Sequence, residues 1–191
     1  MLKQKIAQII LDFLGWKCEA LTPNFDKCVL VVAPHTSNWD FYLGKIAYTA
    51  LGRNASFVIK KQWMFWPIGL LVTKLGGIPV DRSKVTRFTD QIAEIFRTRE
   101  KFCLGITPEG TRKKNPKWKK GFYHIAIKAQ VPIVLVKIDY KEKYLGLFEV
   151  FTPTGDEVAD IKAIKQRYKG VTGKHPDQFS IGDELVKKPG V

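Results

Sequence analysis

Lys27-Cys28-Val29-Leu30-Val31-Val32-Ala33 runs directly into Pro34-His35-Thr36-Ser37-Asn38-Trp39-Asp40. After Lys27 the six residues Cys28 to Ala33 are an unbroken apolar run rich in valine, the pattern of a strand covered on both faces. Pro34 favours a loop, Ser37 is a good helix start, and residues 37 to about 51 read as a helix. The order is therefore strand, short loop, helix. Working outward, the alternation repeats. Strands are expected at 56–60, 77–80, 102–106, 131–138 and 144–151, and helices at 84–99, 121–130 and 156–168. Upstream, Leu2, Ile6, Ile9, Ile10, Phe13 and Leu14 recur at helical spacing with Lys3, Gln4, Lys5, Gln8 and Asp12 mostly opposite, which predicts an amphipathic helix ending near Gly15. Residues 63–72 (WMFWPIGLLV) are strongly apolar but interrupted by Pro67 and Gly69. Residues 107–120 read as a polar loop, and the chain ends in a weakly patterned basic tail.

Strands alternating with helices predict a single α/β domain with a largely parallel, mixed central sheet flanked by helices, preceded by the amphipathic helix. In such sheets ligands bind beyond the carboxyl ends of the strands. His35 and Pro108-Glu109-Gly110 each follow a strand closely, so both belong on one rim.

The whole-chain numbers narrow the partners. Of 191 residues, 45% are hydrophobic, enough for one full core. Lys plus Arg total 32 against 18 Asp plus Glu, a net charge of +14 that favours an anionic partner: nucleic acid, an acidic membrane or a phosphorylated substrate. Cys18, Cys28 and Cys103 are odd in number and form no C-x-x-C pair, which argues against a disulfide framework or a zinc site and fits a reducing compartment. No apolar run approaches the roughly 20 residues a spanning helix needs, and no cleavage site follows the basic start.

His35 and Asp40 are five residues apart, about 140° around a regular helix, so within one helix they would not meet. They meet if His35 lies in the loop and Asp40 in the first helical turn, where the carboxylate binds one imidazole nitrogen and leaves the other free to take a proton. The same spacing also fits a capping arrangement in which Asp40 serves only the helix. His124 has Lys120 and Lys128 four residues either side and no carboxylate near it in sequence, so it reads as a surface or half-buried histidine. His175 sits beside Pro176 in the tail. No Gly-x-Ser-x-Gly elbow or phosphate-binding Walker loop occurs.

The second element is Ile106-Thr107-Pro108-Glu109-Gly110-Thr111-Arg112. Gly110 permits an unusual turn and a close ligand approach, and Thr111 and Arg112 offer a hydroxyl and a guanidinium for a phosphate. Arg112, Lys113, Lys114, Lys117, Lys119 and Lys120 follow with Trp118 among them, either a solvated basic loop or a nucleic-acid surface.

Together these blocks resemble the glycerophospholipid acyltransferase family, whose familiar members acylate lysophosphatidic acid. His35-Thr36-Ser37-Asn38-Trp39-Asp40 is similar to its H-x4-D motif, Gly77-Ile78-Pro79-Val80-Asp81-Arg82 to its arginine-bearing block, Pro108-Glu109-Gly110-Thr111-Arg112 to its P-E-G-T-R block, and Val131-Pro132-Ile133 to its V-P-[IV] block. Leu135 stands where a second proline is common, and Thr107 replaces the usual aromatic or aliphatic residue before Pro108. The resemblance implies an acyltransferase that moves a fatty acyl group from acyl-ACP or acyl-CoA to the hydroxyl of a lysophospholipid such as 1-acyl-glycerol-3-phosphate. His35 would be the general base and Asp40 its support. Arg82, Glu109, Gly110, Thr111 and Arg112 would bind the acceptor's anionic head, with Glu109 orienting Arg112 or accepting a hydroxyl. No metal and no cofactor beyond the thioester donor is expected. The serious alternative keeps the chemistry on another acceptor, such as an acylated amino-acid lipid; a basic nucleic-acid module is remote, and no nucleic acid is expected.

The expected organisation is an amphipathic helix and linker (1–25), an α/β acyltransferase domain (26–170) and a basic tail (171–191). The protein is expected in the cytoplasm, peripheral on the inner face of the cell membrane. Ile6, Ile10, Phe13, Trp63, Phe65 and Trp66 are the candidate contacts with an anionic membrane surface.

Overall fold

The apolar run Lys27–Ala33 becomes β2, and everything that positions the site is arranged about it. The structure, a computed structural model, describes residues 2–80 and 85–182. Its strands are β1 (Lys17–Ala20), β2, β3 (Ser56–Lys60), β4 (Gly77–Val80), β5 (Phe102–Ile106), β6 (Ile133–Asp139) and β7 (Tyr144–Phe151). Its α helices are α1 (Leu2–Phe13), α2 (Trp39–Ala50), α3 (Ile68–Lys74), α4 (Val85–Thr98), α5 (Gly121–Ala129) and α6 (Glu157–Arg167). The described strands form one mixed sheet in the order β1-β7-β6-β2-β5-β3-β4. All neighbours are parallel except β6 and β7, which are joined too tightly for a crossover helix.

Strand β2 lies between β5 and β6, with Val31 opposite Ile106 on one side and Leu135 on the other. Its side chains alternate between two cores. Val29, Val31 and Ala33 join Ile92, Phe96, Phe122, Ile125 and Ile164 under α4, α5 and α6. Cys28 and Leu30 join Leu11, Leu43, Ala47, Tyr48 and Val136 under α1 and α2. A strand packed on both faces needs apolar residues at every position, which is why its sequence does not alternate.

Strand β1 and the tail depart from the sequence reading, and α1 keeps its apolar face open. Strand β1 has no apolar run; Lys17-Cys18-Glu19-Ala20 forms at the sheet edge because β7 supplies a ladder, with Lys17 opposite Tyr144. Helix α1 forms as expected, yet only Ala7 and Leu11 are buried, and Leu2, Ile6, Ile9, Ile10, Phe13 and Leu14 remain exposed. The first part of the tail is not loose. Residues 171–182 form a strap in which Thr172 O accepts from Tyr140 N (2.8 Å), His175 N donates to Thr36 Oγ1 (3.1 Å), and Ile181 is buried in the core. The apolar stretch 63–72 divides into the end of a short 3-10 turn (Lys61–Trp63) and most of α3.

Candidate active site

Because β2 and β5 are neighbours, the segments leaving their carboxyl ends lie side by side. The loop after β2 carries His35, and α2 begins at Trp39, so Asp40 sits in its first turn. His35 Nδ1 is 3.1 Å from Asp40 Oδ2. The acceptor is a carboxylate, so the proton on Nδ1 points to it and Nε2 is left without one in the neutral ring. The same Oδ2 accepts from the N–H groups of Thr36 and Ser37, both at 2.8 Å. The carboxylate that meets the ring therefore also holds the N–H groups of the loop before α2, while Asn38, the helix cap, makes no side-chain cap bond.

Asp40 is only 3% exposed, and burial by itself would raise its pKa. Hydrogen bonds from His35, the Tyr140 hydroxyl and the Ser37 N–H outweigh that and hold the carboxyl below the usual range. Tyr140, the first residue past β6, donates to Oδ1 at 2.7 Å.

The turn after β5 is built around two constraints. Gly110 has φ +68°, and a Cβ there would lie 3.0 Å from Lys119 Cγ, so the turn favours glycine for both backbone and space. Glu109 points inward and is 2% exposed. Its Oε1 accepts from the backbone N–H of His35 (2.9 Å), and its Oε2 has no partner among the described residues. Burial pushes its pKa up to about 7. The Arg112 guanidinium donates to Asn38 Oδ1, at the start of α2, while Glu109 holds the loop that carries His35. Both turns are thus tied together twice.

A cleft of about 1280 Å³ opens at this rim and is lined by His35, Asn38, Asp40, Gly110, Thr111 and Arg112. It has two kinds of wall. Leu30, Val32, Phe41, Tyr48, Val136 and Leu145 make an apolar limb over the α1–α2 face, and Lys113, Lys117, Lys119 and Lys120 make a cationic one.

Other expected residues fall as follows. Arg82 and Asp81 lie outside the described residues, as does the side chain of Trp63. Ile6, Ile10, Phe13, Phe65 and Trp66 are all exposed, Phe13 at 89% and Trp66 at 81%. His124 is not without a carboxylate: its Nε2 is 3.0 Å from Glu157 Oε2, supplied by α6, and Lys120 pairs with the other oxygen. Trp118 is not a solvated part of the basic loop. It is buried, its Nε1 donates to Ser180 O (3.0 Å), and its ring meets Tyr168 edge-on, so it offers no face for base stacking.

Tyr140 and Asn38 were not singled out by sequence. Asn38 stands inside the first block. Tyr140 lies outside all four, and its signal is positional: a hydrogen-bonding side chain just past the carboxyl end of the strand beside β2. Among the described residues no helix is long and apolar enough to cross a membrane, and no group of three or more His, Cys, Asp or Glu could hold a metal.

A family model described as Acyltransferase matches residues 18–139. The 1-acyl-sn-glycerol-3-phosphate acyltransferase of Haemophilus influenzae is 30% identical over 136 residues, covering 66% of this chain and 55% of that protein. The protein of the same name from Cocos nucifera is 35% identical over 83 residues, 40% of this chain and 27% of its own length. The chain thus spans from about a quarter to just over half of these relatives. The crystal structure of the 1-acyl-sn-glycerophosphate (LPA) acyltransferase PlsC from Thermotoga maritima aligns with a TM-score of 0.59 over 87% of this chain and 75% of that one, at 19% identity, a likeness of fold. With the family model covering well over half of its length, and with a His–Asp pair and a Glu-Gly-Thr-Arg turn sharing one rim of the fold, the chain belongs to the acyltransferase family.

Proposed function

We propose that this protein transfers a fatty acyl group from a thioester, on acyl carrier protein or coenzyme A, to the free hydroxyl of a lysophospholipid such as 1-acyl-glycerol-3-phosphate. The observation that carries this reading is the His35–Asp40 pair, 3.1 Å apart, opening on a cleft with one apolar and one cationic limb.

The chemistry follows from the groups present. Nε2 of His35 takes the acceptor's hydroxyl proton as the oxygen attacks the thioester carbonyl carbon. Asp40, ionised, stabilises the imidazolium that forms. The tetrahedral intermediate expels the thiolate, and the imidazolium returns the proton to sulfur, so the enzyme ends as it began. The apolar limb suits the acyl chain. Arg112, held by Asn38, and the neighbouring lysines suit the anionic head, and Arg82 is assigned to the same head by its place in the second block. Glu109 and Gly110 shape the turn that presents Thr111 and Arg112.

The test uses the full chain with a long-chain thioester and a panel of lyso-lipids, with products identified by mass spectrometry. Phosphatidic acid from 1-acyl-glycerol-3-phosphate is expected; product only from an acylated amino acid would move the reading to that acceptor. His35→Ala should lower kcat by about 100-fold or more. Near-wild-type transfer by that variant would remove the general base. Arg112→Ala should raise the acceptor KM or lower kcat/KM by about tenfold or more with folding intact.

The protein is further proposed to sit peripherally on an anionic membrane, at the inner face of the cell membrane. This reading is supported by the net charge of +14 and by the outward-facing Ile6, Ile10, Phe13, Phe65 and Trp66.

A further inference from the structure

Asp40 is held from two sides. Its own loop supplies the donors to Oδ2: the His35 ring and the N–H groups of Thr36 and Ser37. The donor to Oδ1 comes from the end of the neighbouring strand β6, the phenol of Tyr140. Tyr140 is itself fixed at two points. Its N–H donates to Thr172 O at 2.8 Å, and its ring meets Trp16 edge-on with centroids 4.9 Å apart. Burial and the adjacent Asp40 carboxylate push the phenol's pKa well up, so it remains a donor across the working pH range.

We propose that Tyr140 is a positioning residue for the His35–Asp40 pair: its hydroxyl pins Asp40 Oδ1 so that Oδ2 stays turned toward Nδ1 of His35. The inference rests on the acyl-transfer reading above, in which His35 starts neutral with its Nδ1 proton toward Asp40. A carboxylate buried to this degree loses heavily when one oxygen loses its donor. Two responses follow, and both have the same sign. Asp40 becomes easier to protonate. While still ionised, it turns more of its charge on the imidazole and makes His35 easier to protonate too. The acid limb of the pH profile therefore moves to higher pH. The other titratable or charged groups around the pair are Glu109 on the His35 N–H, Arg112 on Asn38, and Lys174 and His175 of the strap beside Trp39 and Thr36; removing the phenol leaves all of them in place.

Tyr140→Phe keeps the ring against Trp16 and deletes only the hydroxyl. The expected result is a kcat about tenfold lower, both KM values within about twofold, and the acid limb of kcat/KM about one pH unit higher. Trp16→Leu loosens the same packing without touching the hydroxyl; it should lower Tm and leave the limb in place. Imidazole titration of His35 by NMR, assigned with His35→Ala, reads the same contact without turnover and should give a raised pKa in Tyr140→Phe. If the wild type transfers no acyl group, the acyl-transfer reading falls while this titration still decides the role of Tyr140. Should Tyr140→Phe be too unstable to assay, biosynthetic replacement of tyrosine by 3-fluorotyrosine, a more acidic donor, should move the limb to lower pH. A folded Tyr140→Phe with unchanged kcat, limb and His35 pKa would overturn the proposal, as would a 3-fluorotyrosine protein with an unmoved limb.

Discussion

Glu109 holds the His35 N–H with one oxygen and leaves the other buried without a partner among the described residues, an arrangement better suited to a neutral carboxyl than to a carboxylate. Its pKa, raised from 4.5 to about 7, has a definite consequence for stability. A carboxyl whose folded pKa lies above its unfolded value stabilises the fold fully below the unfolded pKa, and that contribution is lost as pH rises through the folded pKa. From pH 4.5 to beyond 7 the loss amounts to about 3 kcal/mol. Glu109→Gln keeps an oxygen for the His35 N–H and puts a neutral donor where the orphan oxygen stands. The variant should match the wild type in Tm at pH 5 and exceed it by several degrees at pH 8, measured by calorimetry. A Tm difference that does not change with pH would show that another group titrates. None of this is legible in Pro108-Glu109-Gly110-Thr111-Arg112, where Glu109 reads as orienting Arg112 or accepting a hydroxyl. The pairing of His35 with Asp40 was legible, because five residues spanning a strand-to-helix loop bring two side chains together locally. The partners of Glu109 and Tyr140 come from segments remote in sequence, and a spacing rule carries no information about them.

At the scale of elements, strands buried on both sides were readable because burial dictates every position. Strand β1 was not, because an edge strand takes its order from the neighbour rather than from its own residues. The strap of residues 171–182 was obscured for a similar reason: its apolar anchors, Val171, Phe179 and Ile181, are too widely spaced to leave a periodic pattern, and its other contacts are made by backbone groups. Its closest approach to the loop that carries His35 is at Gly173. A Cβ there would stand 2.9 Å from Thr36 Cγ2 and Oγ1 and 3.1 Å from Pro34 Cβ, the two residues flanking His35. Gly173→Ala should therefore push the loop off its present position, costing about 1–3 kcal/mol in overpacking. Displacement of the imidazole by a fraction of an ångström should lower kcat by about tenfold. Chemical denaturation and steady-state kinetics on the same preparation check both. A variant that loses stability but keeps its kcat would confine the strap to a supporting role in the fold.

The whole molecule is unequal on its two sides. Large apolar side chains exposed among the described residues are all on α1, α2, α3 and their connections, apart from Ile127 and Val158. Helices α1 and α2 share one core, and Phe41 of α2 stacks edge-on against Phe57 of β3, at 4.8 Å, on the side where Val72 of α3 approaches Gly77. These helices therefore cover one face of the sheet, and α4, α5 and α6 cover the other. A helix with Ile6, Ile9 and Phe13 in water is unfavourable unless something apolar covers them, and the proposed membrane does so. Tyr42 is both exposed on α2 and part of the cleft wall, so the cleft opens beside that apolar side, where an acyl chain could enter without crossing water. Attachment should then have two separable parts. Lysines and arginines attract an anionic surface at about 1 kcal/mol each, a part that salt screens to within roughly 3 Å at 1 M; insertion of Phe13 and Trp66 is insensitive to salt. The wild type should float with anionic vesicles at low salt and retain partial binding at 1 M NaCl. Phe13→Asp combined with Trp66→Ser should weaken binding by about tenfold or more at both salt concentrations. Both side chains are more than four-fifths exposed, so circular dichroism should be unchanged. A wild type that stays at the bottom of the gradient, or a double variant that floats as well as the wild type, would leave the apolar face without the lipid role assigned to it.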